Sequence, residues 1–360
     1  MPARRPDTPF PLTRSILDAA VGARAFPAAV IEVGRRDGAL WTEAFGALRF
    51  DPRAPDTRID TVFDLASLTK VIATASIAMR LVHAGTLDLN RPLGSYLPAW
   101  AGGERDGITL RHLLDHSSGL PAHARLWEHN HGRADYEAAF LALQPEAAPG
   151  ERSVYSDIGF MLLGFVLADV GGATLNSQMT DLASELALGD VEFLPPAHWL
   201  PRTAPTEFDP WRNRLLVGDV HDENASALDG VAGHAGLFGT AGAVGRFGRA
   251  VLDALSSSPS SASAALPRMP EFAARTGVPG SSRALGWDTM LVTSSCGSRL
   301  SPRAIGHTGF TGTSLWIDPE RDLYVVLLTN RVHPSRSNEA LRAVRPRVHD
   351  AVIEDLERAG

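Results

Sequence analysis

Ser67 and Lys70 stand three residues apart in the stretch Phe63-Asp-Leu-Ala-Ser-Leu-Thr-Lys70, and Lys70 is the only lysine in 360 residues. Every other basic side chain is Arg or His, so a general need for solubility does not explain this lysine. At i,i+3 on the first turn of a helix the two side chains share a face and meet. A serine hydroxyl is a weak nucleophile until a neighbouring base takes its proton, and a desolvated lysine can be that base. The chemistry this pair could do is acyl transfer through a covalent ester on the serine. The residues after it predict a helix over 67–84 in which only Lys70, Arg80 and His83 are ionisable. A helix apolar nearly all round is buried between layers, and such burial would leave Lys70 neutral. Four residues do not make a site, so the rest of the chain must supply an acid, an oxyanion hole and a cleft.

Three further segments do so. Tyr155-Ser156-Asp157 immediately precedes a mostly apolar helix over 158–170. His307-Thr308-Gly309 ends a predicted strand over 304–308, and Thr109-Leu-Arg-His-Leu-Leu-Asp-His-Ser-Ser-Gly-Leu-Pro121 lies between the first two segments. Together with 63–70 they resemble the class C β-lactamase-like serine hydrolases, a group that includes DD-peptidases, D-aminopeptidases and lactamase-fold esterases. The resemblance spans about 12–355, and Ala204-Pro-Thr-Glu207, Val220-His-Asp-Glu-Asn-Ala225 and Gly233-His-Ala-Gly-Leu-Phe238 look like markers of a penicillin-binding-protein-4B-like subgroup. It implies that Ser67 is acylated and that Lys70 accepts or relays its proton. Tyr155 would be the partner base that later protonates the leaving group. His307, Thr308 and Gly309 would line the cleft where the family carries Lys-Thr-Gly, and the N–H groups of Ser67 and Phe310 would form the oxyanion hole.

Two positions depart from the family pattern. Asp157 stands where β-lactamases usually carry Asn; an ionised Asp cannot donate to a substrate amide and would repel an anion. His307 replaces the lysine, which predicts a weaker, pH-dependent cationic anchor. Both changes favour an ester, amide or peptide substrate less acidic than a β-lactam. His112 and His116 are spaced four apart on a predicted helix, but without a third ligand a structural role is expected. Asp219, His221, Asp222 and Glu223 are expected to satisfy backbone groups in a long irregular loop over 190–230. His234, between glycines, is expected to approach the cleft. No cofactor and no metal is expected.

The elements that must position these residues follow from periodicity. A helix is predicted near 13–25 with Thr13 or Ser15 as its cap, then a hairpin of 28–33 and 40–45. Helices fill the middle of the chain, and strands return at 285–292, 304–308, 314–318 and 323–329 before a C-terminal helix over 339–359. The architecture expected is α/β (α+β), of the β-lactamase/transpeptidase kind: an antiparallel sheet flanked by helices, with an inserted helical domain. The sheet-containing domain would take 12–66 and 240–360, the helical domain 67–239, with the cleft at the seam. The Pro-rich residues 1–11 predict a loosely docked start, and the Ser/Ala/Pro tract over 256–265 a mobile surface loop.

Composition narrows the function classes. Hydrophobic residues make up 44% and charged residues 21%, as in an ordinary globular protein, and the formal net charge of −7 offers no basic footprint for nucleic acid. Cys296 is the sole cysteine, so no intrachain disulfide forms. The N-terminus shows no apolar signal-peptide core and no membrane-spanning run, which predicts a cytoplasmic location. The reading is a serine hydrolase for small esters, amides or D-amino-acid peptides. Its rivals are a DD-carboxypeptidase, penicillin-binding protein or β-lactamase, and a non-catalytic lactamase-fold binding module. The oligomeric state is left open.

Overall fold

The computed structural model describes residues 8–261 and 264–359. The expectations for 1–7 and 262–263 lie outside them. A six-stranded antiparallel sheet is built from both ends of the chain: β1 (Ala28–Arg35), β2 (Gly38–Gly46), β3 (Asp288–Thr289), β4 (Ile305–Thr308), β5 (Ser314–Asp318) and β6 (Leu323–Thr329), in the order β2-β1-β6-β5-β4-β3. The sheet is covered on both faces, and the period of two decides which residue meets which layer. On β6, Leu323, Val325 and Leu327 join one core, while Tyr324, Val326 and Leu328 join the other.

The first core lies under the terminal helices α1 (Pro11–Gly22) and α5 (Leu341–Ala359). Neither predicted residue caps α1. Instead Asp355 on α5 accepts from the N–H of Leu12 and Thr13 and from the Thr13 hydroxyl, so a carboxylate from the other end of the chain satisfies the helix start. The second core packs α4 (Ala241–Ala254) on the opposite face and continues into the helical part around α3 (Asp157–Gly171), which is buried along its first ten residues after Asp157. Among the described residues no single helix is long and apolar enough to cross a bilayer.

Three expectations change. The helix over 67–84 is two pieces, a π-helical Lys70–Ala75 followed by α2 (Ser76–His83). Insertion of the wider turn is a feature that recurs at functional sites. Of the predicted strand over 285–292 only Asp288–Thr289 pairs, because the chain turns at Gly286 with φ +87°. The irregular 190–230 region holds short regular pieces, of which Val191–Phe193 joins Phe63–Asp64 and Leu237–Gly239 in a small three-stranded sheet.

Candidate active site

Ser67 follows the strand Phe63–Asp64, whose pairing with Leu237–Gly239 continues as a bond from Leu65 N to Leu237 O. The buried Asp64 carboxylate then turns the chain: it accepts from Ala66 N at 2.8 Å and from His221 N at 2.7 Å, and Ala66 adopts φ +47°. From there Thr69 N bonds Ala66 O and Lys70 N bonds Ser67 O, the tight first turn that places Lys70 beneath Ser67. Lys70 Nζ donates to Ser67 Oγ at 3.0 Å.

Lys70 is fully buried, as the sequence predicts, yet its charge state is the reverse of the expectation. Burial by itself would push the ammonium towards neutrality. The Asp157 carboxylate at 2.7 Å, helped by Tyr155, outweighs it and raises the pKa above the ordinary lysine value. The third donor position is filled by His234 O at 3.1 Å. Gly233 makes that approach possible, since a Cβ there would meet Phe160 O of α3 at 2.0 Å. Asp157 correspondingly stays ionised. Burial opposes this, but Lys70, then His123 and His234, hold its carboxyl well below the usual range. Asp157 is the first residue of α3 and a cleft residue at once, and its charge is spent on Lys70.

Tyr155 lies over this pair, with Lys70 Nζ 4.9 Å from its ring centroid. Two imidazoles flank the phenol, His116 at 4.5 Å and His307 at 5.8 Å between ring centroids. His116 is not on the helix with His112: that helix ends at Leu114, and His116 turns back with φ +61°. His307, buried on β4, donates from Nδ1 to Thr308 O at 2.9 Å. Burial, with Arg283 and Lys70 nearby, holds it well below the ordinary histidine value, so it is neutral rather than the expected pH-dependent cation.

The strand end is drawn onto Ser67 by two hydroxyls. Thr311 Oγ1 donates to Asp64 O at 2.7 Å and Thr313 Oγ1 to Leu65 O at 2.9 Å. Gly309 sits inside this contact, where a Cβ would lie 2.1 Å from Thr313 Oγ1 and 2.6 Å from Leu65 O. Neither Ser67 N nor Phe310 N has a hydrogen-bond partner among the described residues. Phe310 is half exposed, its ring set between the His221 ring at 5.6 Å and the Arg331 guanidinium at 4.5 Å. Ser67, Lys70, Tyr155, Asp157, His307, Thr308, Gly309 and Phe310 are thus brought together.

Cavities open on both sides of Ser67. One of about 300 Å³ runs past Thr308 to α5 and carries Arg283, Arg331, Arg342 and Arg345 against Asp288 and Glu339. The other, about 320 Å³, carries Asp157, Asp222 and Glu223 with His123, Trp127 and Arg336.

The beta-lactamase family profile matches residues 13–348 of this chain. The chain belongs to the beta-lactamase family. It is 31% identical over 350 residues to a Bacillus subtilis protein named N-acetylmuramyl-L-alanine amidase, with 86% of this chain and 78% of that protein covered. It is 28% identical over 310 residues to a Salmonella paratyphi B protein provisionally named D-alanyl-D-alanine carboxypeptidase, covering 78% and 71%. The fold is similar to the class C beta-lactamase of Rhodobacter sphaeroides, with a TM-score of 0.76 at 19% identity over 96% of this chain and 99% of that one. The β-lactamase-like α/β fold read from the sequence and the serine-hydrolase class are therefore those of the family.

Within this beta-lactamase fold, sequence reasoning named His221, Asp222, Glu223 and His234 but not the charge pairs they form, and it left out His123, Arg283 and Arg336. His234 Nε2 pairs with Asp222 at 2.8 Å, and His221 Nε2 with Glu207 at 2.8 Å. Arg336 bonds both Glu207 and Glu223. His123 gains its proton more readily than an ordinary histidine because it faces Asp157. Arg283 and the α5 arginines carried no signal, since arginines on a terminal helix read as a solvated face.

Proposed function

We propose that the chain hydrolyses small amides or esters through an acyl-enzyme on Ser67, and that the departing fragment carries an acidic group. The observation that carries the reading is the 3.0 Å contact from a buried, Asp157-paired Lys70 to Ser67 Oγ. An ammonium cannot take a proton, so the base is Tyr155 as its phenolate, held beside the Lys70 ammonium. Ser67 Oγ attacks the substrate carbonyl as its proton passes to the Tyr155 oxygen, and Lys70 stays charged to offset the negative charge gathering on oxygen. The tetrahedral oxyanion is bound by Ser67 N–H and Phe310 N–H, each such donor being worth about 3 kcal/mol. The bond from carbonyl carbon to the leaving nitrogen or oxygen breaks as Tyr155 returns the proton to that atom. Water then attacks the ester by the same route and frees Ser67.

The acidic leaving fragment is supported by the arginine-lined cavity beside Thr308, and it revises the expectation of a less acidic substrate. That expectation rested on Asp157 as a repelling charge and His307 as a weak cation. Asp157 is neutralised by Lys70, and the positive charge comes from arginines instead. The carboxypeptidase and amidase names of the relatives agree with a peptide-like substrate. The test is a panel of nitrophenyl esters, D-amino-acid peptides with a free or amidated C-terminus and a chromogenic cephalosporin, run with wild type and Ser67→Ala and followed by intact-protein mass. Expected are an acyl adduct on wild type only, loss of all turnover in Ser67→Ala, and preference for the free over the amidated peptide. Unchanged turnover in Ser67→Ala would sink the mechanism.

A further inference from the structure

His116 holds Tyr155 from three directions. Its carbonyl accepts from Val154 N at 2.8 Å, its Nδ1 accepts from Ser156 N at 3.0 Å, and its ring packs against the phenol at 4.5 Å between centroids with the planes tilted by 38°. The two backbone bonds grip the neighbours of Tyr155 on both sides, and the ring contact sets the side chain. Ser156 N–H can only donate, so Nδ1 is the unprotonated nitrogen and the proton sits on Nε2. That Nε2 is buried and has no hydrogen-bond partner among the described residues. Burial, with the positive charges of Arg283 and Lys70 nearby, keeps the imidazole neutral, Asp157 opposing. The residue also stands at φ +61°, a conformation that only glycine adopts at no cost. A left-handed backbone and an unspent buried donor are both unfavourable, and such strain persists where the geometry that it fixes matters.

We propose that His116 is a positioning residue for Tyr155, a neutral acceptor that fixes where the phenol stands relative to Ser67 and Lys70. It acts on the reaction through Tyr155, and so rests on the assignment of Tyr155 as proton carrier. The earlier reading of the histidine as a structural residue or half of a metal pair gives way to this one.

Ester turnover and thermal midpoint, measured for wild type, Tyr155→Phe, His116→Ala, His116→Gly and His116→Asn, decide the matter. Asn keeps an oxygen acceptor where Nδ1 stands and tolerates the left-handed conformation; Gly relieves the backbone but removes acceptor and ring. Displacing a reacting group by about an ångström costs about a hundredfold, so kcat should fall by about that factor in His116→Ala and His116→Gly with KM nearly unchanged. His116→Asn should recover kcat to within about tenfold of wild type. His116→Gly should melt no lower than His116→Ala, which removes misfolding as the cause. Should His116→Ala not fold, the Asn and Gly pair carries the same comparison. Wild-type kcat in His116→Gly, or a loss in His116→Asn as large as in His116→Gly, overturns the proposal. Full turnover in Tyr155→Phe is a different failure: it removes the Tyr155 assignment itself, whatever the His116 series shows.

Discussion

The two cavities that meet at Ser67 handle charge in opposite ways. On the Asp157 side each carboxylate faces a cation or imidazole: Asp157 has Lys70, Asp222 has His234, Glu207 has His221, and Glu223 and Glu207 share Arg336. On the α5 side the arginines outnumber their partners. Arg342 pairs with Glu339 in solvent, whereas Arg283, Arg331 and Arg345 have no carboxylate within ion-pair distance among the described residues. Arg345 is only 9% exposed, its Nε has no hydrogen-bond partner among the described residues, and burial next to Arg331 pushes its pKa down to about 10. A buried charge that is compensated internally belongs to the protein's own machinery. One left uncompensated costs stability and is the place where a ligand charge gains most.

Removing charge should therefore have opposite consequences on the two sides. The largest effect is expected from Lys70→Met, which strands Asp157: kcat should fall by about a thousandfold or more, and the fold should lose about 3–5 kcal/mol in chemical denaturation. If Lys70→Met melts like wild type, Asp157 does not depend on Lys70. Arg345→Met is smaller and of the other sign in stability. With an unpaired guanidinium replaced by an apolar chain of similar reach, the denaturation midpoint should hold or rise. In the same variant kcat/KM for a substrate with a free carboxylate should fall about tenfold, the value of one charge-assisted hydrogen bond, and a neutral ester should be unaffected. Equal losses on both substrates would show that Arg345 only supports the wall.

The smallest effect is a drift of stability with pH, and its sign can be worked out. His116, His307 and His349 are depressed below 6.5 by burial, His349 to about 4. The unfolded chain binds those protons first, so their contribution is complete above about pH 6.5 and drains as pH falls. Asp222 and Glu207 are held to about 2 although burial opposes it, by His234 and by His221 with Arg336 respectively. Their contribution is complete above about pH 4.5 and is lost as pH falls towards 2. Thermal midpoints should thus decline gently from pH 6.5 to 4.5 and steeply below. Asp222→Asn should flatten the steep limb alone, and an unaltered limb in that variant would separate Asp222 from acid unfolding.

Much of this was legible in the sequence where the signal is local. The continuous apolar run of Leu323–Thr329, the helix end near residue 84 and the tight Ser67–Lys70 spacing each depend on neighbours in the chain, and each gave an element or contact close to the one observed. Partners far apart in sequence were not legible. Burial of Lys70 could be read from its apolar surroundings, but not the carboxylate 87 residues away that reverses the effect of burial. Likewise Asp355 as the cap of α1, and α5 as a wall of the cleft, are products of packing between the chain's two ends. The strands of two or three residues around Ser67 are too short to show any period at all.

The Thr311 and Thr313 hydroxyls that reach Asp64 and Leu65 cross 247 and 248 residues of chain. During synthesis the segment holding Ser67, Lys70 and Asp157 leaves the ribosome well before Thr311, Thr313 and the strand leading to Phe310 exist. Because domains tend to fold as they emerge, the early chain can assemble its charged pair and still lack the strand that closes on Ser67. In the proposed mechanism, a chain halted before β4 would carry Ser67 without the Phe310 N–H that its tetrahedral intermediate needs.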